Sequence, residues 1–119
     1  MKYLLMIYER EAEWAGLSEA EQGQIFGEYG AYTEKLKAHG HYLNGNPLQP
    51  SSTATMVRIE GGKVMTTDGP YAETREQLGG YYLIEAPDLD QALALAAEIP
   101  SARHGTAVIE VRPVLEIMG

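Results

Sequence analysis

The densest run of side chains able to do chemistry lies at residues 66–77, which read TTDGPYAETREQ. Within it, Asp68 precedes Gly69 and Pro70, and this order is typical of a turn in which the Asp caps its own backbone. A carboxylate held by a rigid turn at the mouth of a cavity is also suited to general acid or base catalysis. We therefore treat Asp68 as a catalytic candidate, with the turn role as the alternative.

Three side chains that follow Asp68 are candidate substrate-binding groups. The phenol of Tyr71 can donate a hydrogen bond to an oxyanion, and Glu73 and Arg75 can pair with charged groups of a substrate. The alternatives are packing for Tyr71 and an ordinary surface ion pair for Glu73 and Arg75.

The three histidines supply the other groups that titrate near neutral pH. His104 follows Arg103 in a predicted loop, where the two can serve as an acid/base group and an anion-binding group; a solvated loop histidine is the alternative. His41 can point inward from a predicted strand and is a further substrate-binding candidate. His39 falls at a predicted helix end, where positive charge is favourable. No third ligand has metal-site spacing to the His-x-His pair, so we predict no metal.

Composition excludes several classes of function. The chain has no cysteine, which excludes thiol catalysis, zinc fingers and iron–sulfur centres. Its net charge of −8 argues against nucleic acid and anionic membranes as partners. Neither a phosphate-binding glycine loop nor a dinucleotide fingerprint is present, so we expect no cofactor. Residues 41–80, which include Asp68, are the least acidic third of the chain.

Length and hydropathy indicate one cytoplasmic domain over residues 1–119. No stretch approaches the roughly 18 consecutive apolar residues of a membrane span. Residues 1–8 are apolar but lack a charged leader and a cleavage site, so we do not interpret them as a signal peptide.

Two segments are predicted to form helices. Ser18 and Glu21 make a capping box, and apolar residues follow at helical spacing until Gly40, which is typical of a helix end. Asp88 begins the second helix, which Pro100 is expected to end. The apolar faces contain Ile25, Tyr29, Tyr32 and Leu36 in the first helix, and Leu89, Ala92, Leu93, Ala96 and Ile99 in the second.

Strands are predicted around these helices, including a hairpin at Gly61-Gly62. The predicted strands are residues 3–8, the first part of 41–50, 54–60, 63–67, 81–84 and 107–117. The strands at 3–8 and 81–84 are apolar on both faces, as in strands covered on both sides.

This order, β-α-β-hairpin-β-α-β, predicts an α+β fold of ferredoxin-like type, in which two helices cover one face of an antiparallel sheet. Because no further element can cover the other face, we expect a second copy of the sheet to do so, giving a homodimer with a cavity between the sheets. Assembly beyond the dimer stays open. Tyr3, Tyr8, Tyr81 and Tyr82 lie on strands, where an apolar ring with a polar tip suits a partly wet cavity.

Residues 68–85, DGPYAETREQLGGYYLIE, resemble the signature of the DGPF group of the YCII-related family. That signature usually reads Asp-Gly-Pro-Phe-Ala-Glu-Thr-Lys-Glu, so Tyr71 stands for Phe and Arg75 for Lys. The likeness extends to residues 1–6, 86–90 and 111–114.

The resemblance implies a dimeric α+β barrel. The wider family is similar to muconolactone isomerases, one branch eliminates chloride from a chlorinated aromatic, and members are proposed to use a His and an Asp as an acid/base pair in the dimer cavity. Asp68 is the position carried over from the motif, whereas its pairing with His104 is our own inference.

We therefore predict a small cofactor-free enzyme of isomerase or lyase type that acts on a small organic substrate. Asp68 would be the base, and His104 or Tyr71 would stabilise or reprotonate the intermediate. The alternative is a non-catalytic ligand-binding or regulatory module linked to a sigma factor.

Overall fold

A single antiparallel sheet forms the centre of the protein, whose computed structural model describes residues 1–117. Its four strands follow the order β2-β5-β1-β6, and each neighbouring pair is antiparallel. The strands of this sheet are β1 (Lys2–Glu9), β2 (Tyr42–Pro47), β5 (Gln77–Glu85) and β6 (Ala107–Pro113). This order confirms the predicted ferredoxin-like α+β fold.

Helices pack on one face of the sheet. They are α1 (Glu11–Ala15), α2 (Glu19–Ala38), α3 (Leu89–Ala97) and α4 (Pro100–Arg103), and Ser51–Thr53 add one 3₁₀ turn. Both bonds of the predicted capping box are present at the start of α2, each 3.1 Å long between Ser18 and Glu21. The Asp88 carboxylate caps α3 by accepting from the backbone N–H of Gln91 at 2.9 Å. No helix within residues 1–117 is both long and apolar enough to cross a membrane.

The core lies between the helices and the sheet. Along β1, side chains on the helix side are buried, whereas those on the outer side are only half-buried. The buried set is Tyr3, Leu5, Ile7, Tyr32, Leu36, Tyr82, Ile84, Ala86, Ala92, Ala96 and Ile99. The centre of the outer face is also apolar, with Leu4, Met6, Tyr8, Leu78, Tyr81, Leu83 and Val108, whereas β6 adds the Glu110–Arg112 ion pair to the same face. The central strands are therefore apolar on both faces, as predicted.

A separate two-stranded hairpin connects the halves of the fold. Strand β3 (Thr55–Glu60) pairs with β4 (Lys63–Asp68), as the sequence predicts. Gly61 and Gly62 form its turn with φ of +56° and +79°, a conformation that glycine adopts without a side-chain penalty. Every residue of β4 is exposed, so the hairpin has little contact with the core.

The ends of several elements differ from the predictions. Helix α1 was not predicted, because five residues are too few to show a helical period. Pro100 does not end a helix but begins α4, since proline at the first helical position loses no hydrogen bond. Strand β6 ends at Pro113 rather than at residue 117. Gly79 and Gly80 lie inside β5 rather than before it.

Candidate functional site

A cavity of about 670 Å³ lies on the helix side of the sheet, between α1, the middle of α2 and the β2–β5 edge. This volume falls within the range of roughly 300–1,000 Å³ that small-molecule sites occupy. Its apolar walls come mainly from Ile7, Trp14, Ile25, Phe26, Tyr42 and Leu48. Its polar side chains come from Glu9, Glu11, Tyr29, Thr33, Gln49, Gln77, Tyr82 and Ser101.

Glycines on the sheet make room for the cavity floor. A side-chain carbon on Gly45 would lie 2.7 Å from Cδ1 of Tyr82, and one on Gly80 would lie 3.1 Å from the Asn46 carbonyl oxygen. Both glycines line the cavity. The lack of a side chain at Gly45 therefore lets the Tyr82 ring lie against β2, and its lack at Gly80 lets the β2 backbone approach β5.

Glu9 places a carboxyl group at the edge of this floor. It ends β1 and continues the alternation Tyr3, Leu5, Ile7, so its side chain faces the helices. Burial raises the pKa of the Glu9 carboxyl above its ordinary value of 4.5. No other residue within 1–117 donates a hydrogen bond to this carboxylate or pairs with it, so it is free to exchange a proton.

Two hydroxyl pairs also line the cavity. The Tyr29 hydroxyl is 2.7 Å from Oγ of Ser101, and burial raises the pKa of this phenol to about 12. The Tyr82 hydroxyl is 2.8 Å from Oγ1 of Thr33, and burial also raises the pKa of Tyr82. Both phenols therefore stay protonated at neutral pH and act as hydrogen-bonding groups rather than as bases.

The direction of one of these hydrogen bonds follows from proton counting. Thr33 Oγ1 has one hydrogen, which it donates to the Tyr29 carbonyl oxygen at 2.8 Å. Tyr82 is then the donor to Thr33, and lone pairs of the Tyr82 oxygen are left for another partner.

Helix α1 is fixed as a wall of the cavity by the Glu11 side chain. The Glu11 carboxylate accepts from the backbone N–H of Ser51 at 2.6 Å and from its hydroxyl at 2.7 Å. The backbone N–H of Glu11 donates to Oε1 of Gln77 at 3.0 Å. On α1, Trp14 meets Phe26 edge to face, with ring centroids 5.3 Å apart. These contacts hold an aromatic wall over the sheet.

A smaller cavity of about 320 Å³ adjoins the first and shares Glu9, Trp14, Ile25 and Ser101 with it. His104 lines this second cavity, and its Nε2 lies 2.7 Å from Oε2 of Glu28. Within residues 1–117 no three His, Asp or Glu side chains are grouped so that they could hold a metal ion.

Comparison with known families decides the relationship. A model of the YCII-related domain matches residues 1–117. The chain belongs to the YCII-related family. An uncharacterized protein of Rhizobium meliloti is 33% identical over 114 residues, which cover 96% of this chain and 92% of that protein. The resemblance predicted from residues 68–85 is thereby confirmed.

The fold of this YCII-related protein is similar to a solved enzyme structure. That structure is 5-chloro-2-hydroxyhydroquinone dehydrochlorinase from Burkholderia phenoliruptrix AC1100, in complex with 2,5-dihydroxybenzoquinone. The TM-score is 0.59 and the identity 16%, with 97% of this chain and 94% of that chain covered. At this identity the likeness bears on the fold.

The sequence-predicted catalytic pair of the YCII-related protein lies in two separate places. Asp68 ends β4, where it is exposed opposite Thr55, and Gly69 donates to the Ala54 carbonyl oxygen at 2.7 Å. Asp68 lines neither of the two cavities described above, whereas His104 lines the smaller one. A single chain therefore does not bring the two side chains into one cavity.

The predicted substrate-binding residues are also dispersed. Tyr71 is 82% exposed, and Glu73 and Arg75 are exposed beside it. Arg103 is exposed at the end of α4. The ring Nδ1 of His41 lies 2.8 Å from the Glu85 carbonyl oxygen, at the start of β2. The roles assigned to these residues stay predictions.

The cavity found in one chain is also not where the sequence argument placed a cavity. It lies under the helices, whereas the predicted one lies between the outer faces of two sheets. Of the four strand tyrosines, Tyr3 and Tyr82 face the helices, and Tyr8 and Tyr81 face outward. Glu9 was not predicted to be a site residue, because the first predicted strand ends at residue 8. Its signal was its position in the inward alternation.

Proposed function

We propose that this YCII-related protein is a cofactor-independent acid/base enzyme, of isomerase or lyase type, that acts on a small organic molecule. The observation that carries the proposal is Glu9, a half-buried carboxyl without a partner within residues 1–117, facing a cavity of ligand size. In this mechanism Glu9 accepts a proton from the substrate. With Ser101 as the donor in its hydrogen bond to Tyr29, the Tyr29 hydroxyl keeps its own hydrogen and donates it to the oxygen on which negative charge develops.

The chemistry of the similar structure supports this class of reaction. That protein is a dehydrochlorinase, an enzyme that removes a proton and a chloride from its substrate. An elimination of this kind needs a base near the substrate, and Glu9 is suited to that role.

Asp68 and His104 form the competing assignment of the same function. Asp68 faces solvent in a single chain, so its catalytic role requires that a second copy cover it. We propose that such a homodimer forms through the apolar outer face of the sheet, where Val108 is 58% exposed beside half-buried Leu4, Met6 and Leu83.

The dimer is tested by sedimentation velocity on matched variants. Val108→Glu, on the outer face, is expected to shift the protein toward monomer, because it buries a charge in the interface. Leu93→Glu, on α3 and 47% exposed, lies on the helix side of the sheet, away from the outer face, so it serves as the control and should leave the sedimentation coefficient unchanged. A wild-type monomer at micromolar concentration would refute the homodimer.

The acid/base function is tested with 5-chloro-2-hydroxyhydroquinone as the probe. Chloride release and deuterium incorporation from D₂O are followed for wild type, Glu9→Gln and Asp68→Asn. We expect Glu9→Gln to lower the rate by about 100-fold or more, the usual scale for loss of a general base. Asp68→Asn should change it by less than about threefold, and circular dichroism checks that both variants fold.

Each other outcome assigns a different function. Loss of turnover in Asp68→Asn but not in Glu9→Gln would show that Asp68, in the exposed turn, is the base. Binding of the probe without chloride release or deuterium incorporation would favour the alternative, a ligand-binding or regulatory module such as an accessory of a sigma factor.

A further inference from the structure

We infer that the helix-side cavity takes uncharged or cationic hydroxylated rings and excludes carboxylates. This substrate class rests on the proposed function of the same site. It follows from the charges and the surfaces that line the cavity.

The charges of the cavity have one sign. Glu9 and Glu11 are its acidic residues, and no Lys, Arg or His within residues 1–117 lines it. The nearby basic side chains lie outside this lining: Arg10 and His104 line the smaller cavity, and Lys37 lies over the ring of Tyr42, 5.1 Å from its centroid. Arg10 pairs with Glu13 at 3.1 Å, and Lys37 lies 3.7 Å from Glu34. An anionic ligand would therefore meet no fixed positive side chain on the cavity wall.

The two acidic residues are not equivalent. Ser51 donates two hydrogen bonds to Glu11, which partly satisfy its carboxylate. Glu9 accepts none from the described residues and is half-buried at the β1 end. A ligand carboxylate placed beside Glu9 would add like-charge repulsion to the cost of leaving water.

A neutral or cationic ligand meets the opposite situation. A ligand hydroxyl or ammonium can donate to Glu9, and the free lone pairs of the Tyr82 oxygen accept a second hydrogen bond. The rings of Trp14 and Phe26, with Ile7, supply apolar surface against which an aromatic ring packs. Ring binding and charge exclusion thus come from neighbouring parts of one cavity.

Three probes that share a 4-hydroxyphenyl ring test the inference. They are 4-hydroxyphenylethanol, which is neutral, tyramine, which is cationic, and 4-hydroxyphenylacetate, which is anionic at neutral pH. Isothermal titration calorimetry is run at pH 7 and low ionic strength. We expect the alcohol and the amine to bind, and the carboxylate to bind at least about tenfold more weakly than the alcohol.

Matched variants identify the source of the discrimination. Glu9→Gln should reduce the difference in binding affinity between the alcohol and the carboxylate, mainly because the carboxylate binds more tightly to this variant. Glu19→Gln removes the same charge from the first turn of α2, at an exposed position outside both cavities, and should leave the difference in affinity between alcohol and carboxylate unchanged.

Three results would overturn the inference. The first is that wild type binds the carboxylate as tightly as the alcohol, or more tightly. The second is that Glu9→Gln leaves the difference in affinity between the two unchanged. The third is that none of the three probes binds to the folded protein. Each is separate from the proposed function, which the chloride-release and deuterium assays decide independently.

Discussion

Two regions of the molecule place a carboxylate and a tyrosine in opposite environments. One is the helix-side cavity, and the other is the β3–β4 hairpin with its continuation to Arg75. Around the cavity, Glu9 is half-buried and Tyr29 shares a hydrogen bond with Ser101, a side chain that is 3% exposed. In the hairpin region, Asp68 is exposed and Tyr71 is 82% exposed. The region with the most distinctive local sequence is thus the one most open to water.

The difference teaches where acid/base chemistry is tuned in this fold. Removal from water changes the proton affinity of a carboxyl and lets a fixed dipole act strongly, whereas an exposed group is screened. Residues spread along the chain, from Glu9 to Ser101, meet around the cavity because the sheet and the helices α1, α2 and α4 bring them there. An exposed run gains the same properties only when another surface covers it.

The largest expected effect compares one substitution in the core with the same substitution in the hairpin. Ile84→Ala, at a fully buried position beside the cavity strands, should cost about 2–5 kcal/mol of unfolding free energy. Ile59→Ala, where the side chain is 69% exposed, should stay within about 0.5 kcal/mol. Urea denaturation measures both. A large loss for Ile59→Ala would mean that a partner covers the hairpin in solution.

A smaller effect compares two tyrosines. Tyr29→Phe leaves Oγ of buried Ser101 without its partner and should cost about 1–3 kcal/mol, part of which Ser101→Ala restores in the double variant. Tyr71→Phe removes the same hydroxyl from an exposed ring and should be close to neutral. Thermal unfolding of wild type, Tyr29→Phe, Ser101→Ala, their double variant and Tyr71→Phe checks this. Strict additivity of the two cavity substitutions would contradict a coupled pair.

Sequence reasoning predicted most of the architecture, because the fold depends on local signals. The capping residues Ser18 and Asp88, the Gly61-Gly62 turn and the apolar pattern of the strands each act over a few residues. These signals also gave the element order, from which the sheet order follows.

The cavity was harder to predict because its contacts join distant residues. The Tyr29 and Ser101 hydroxyls are separated by 72 residues, and Glu11 and Ser51 by 40. No local pattern reports how α2 lies over α4 or how α1 folds back. Glu9 is the exception, since extending the alternation of β1 by one inward position would have identified it.

Glu9 also sharpens the comparison through pH. Because burial raises the pKa of Glu9 in the folded state, the folded protein binds this proton more tightly than the unfolded chain does. The stability that this proton contributes is fully present below the ordinary pKa of 4.5 and is lost as the pH rises through the raised pKa of the folded state. Wild type should therefore lose unfolding free energy relative to Glu9→Gln as the pH rises above the ordinary pKa of 4.5. A difference that is constant in urea titrations across this range would argue against burial of the Glu9 carboxyl.

The smallest effect locates the edge of the cavity along α2. Gly23 and Gly30 both lie inside this helix, and a side-chain carbon at either would meet no atom within 4 Å. Each glycine-to-alanine change should therefore stabilise the protein by about 0.5–1 kcal/mol, because alanine favours the helix. Only Gly30 lines the cavity, so Gly30→Ala alone should weaken binding of 4-hydroxyphenylethanol, by a few-fold, in calorimetry. Equal weakening by Gly23→Ala would show that the ring binds elsewhere along the helix. The hairpin offers no such test, since Gly61 and Gly62 have positive φ and alanine there would strain the turn.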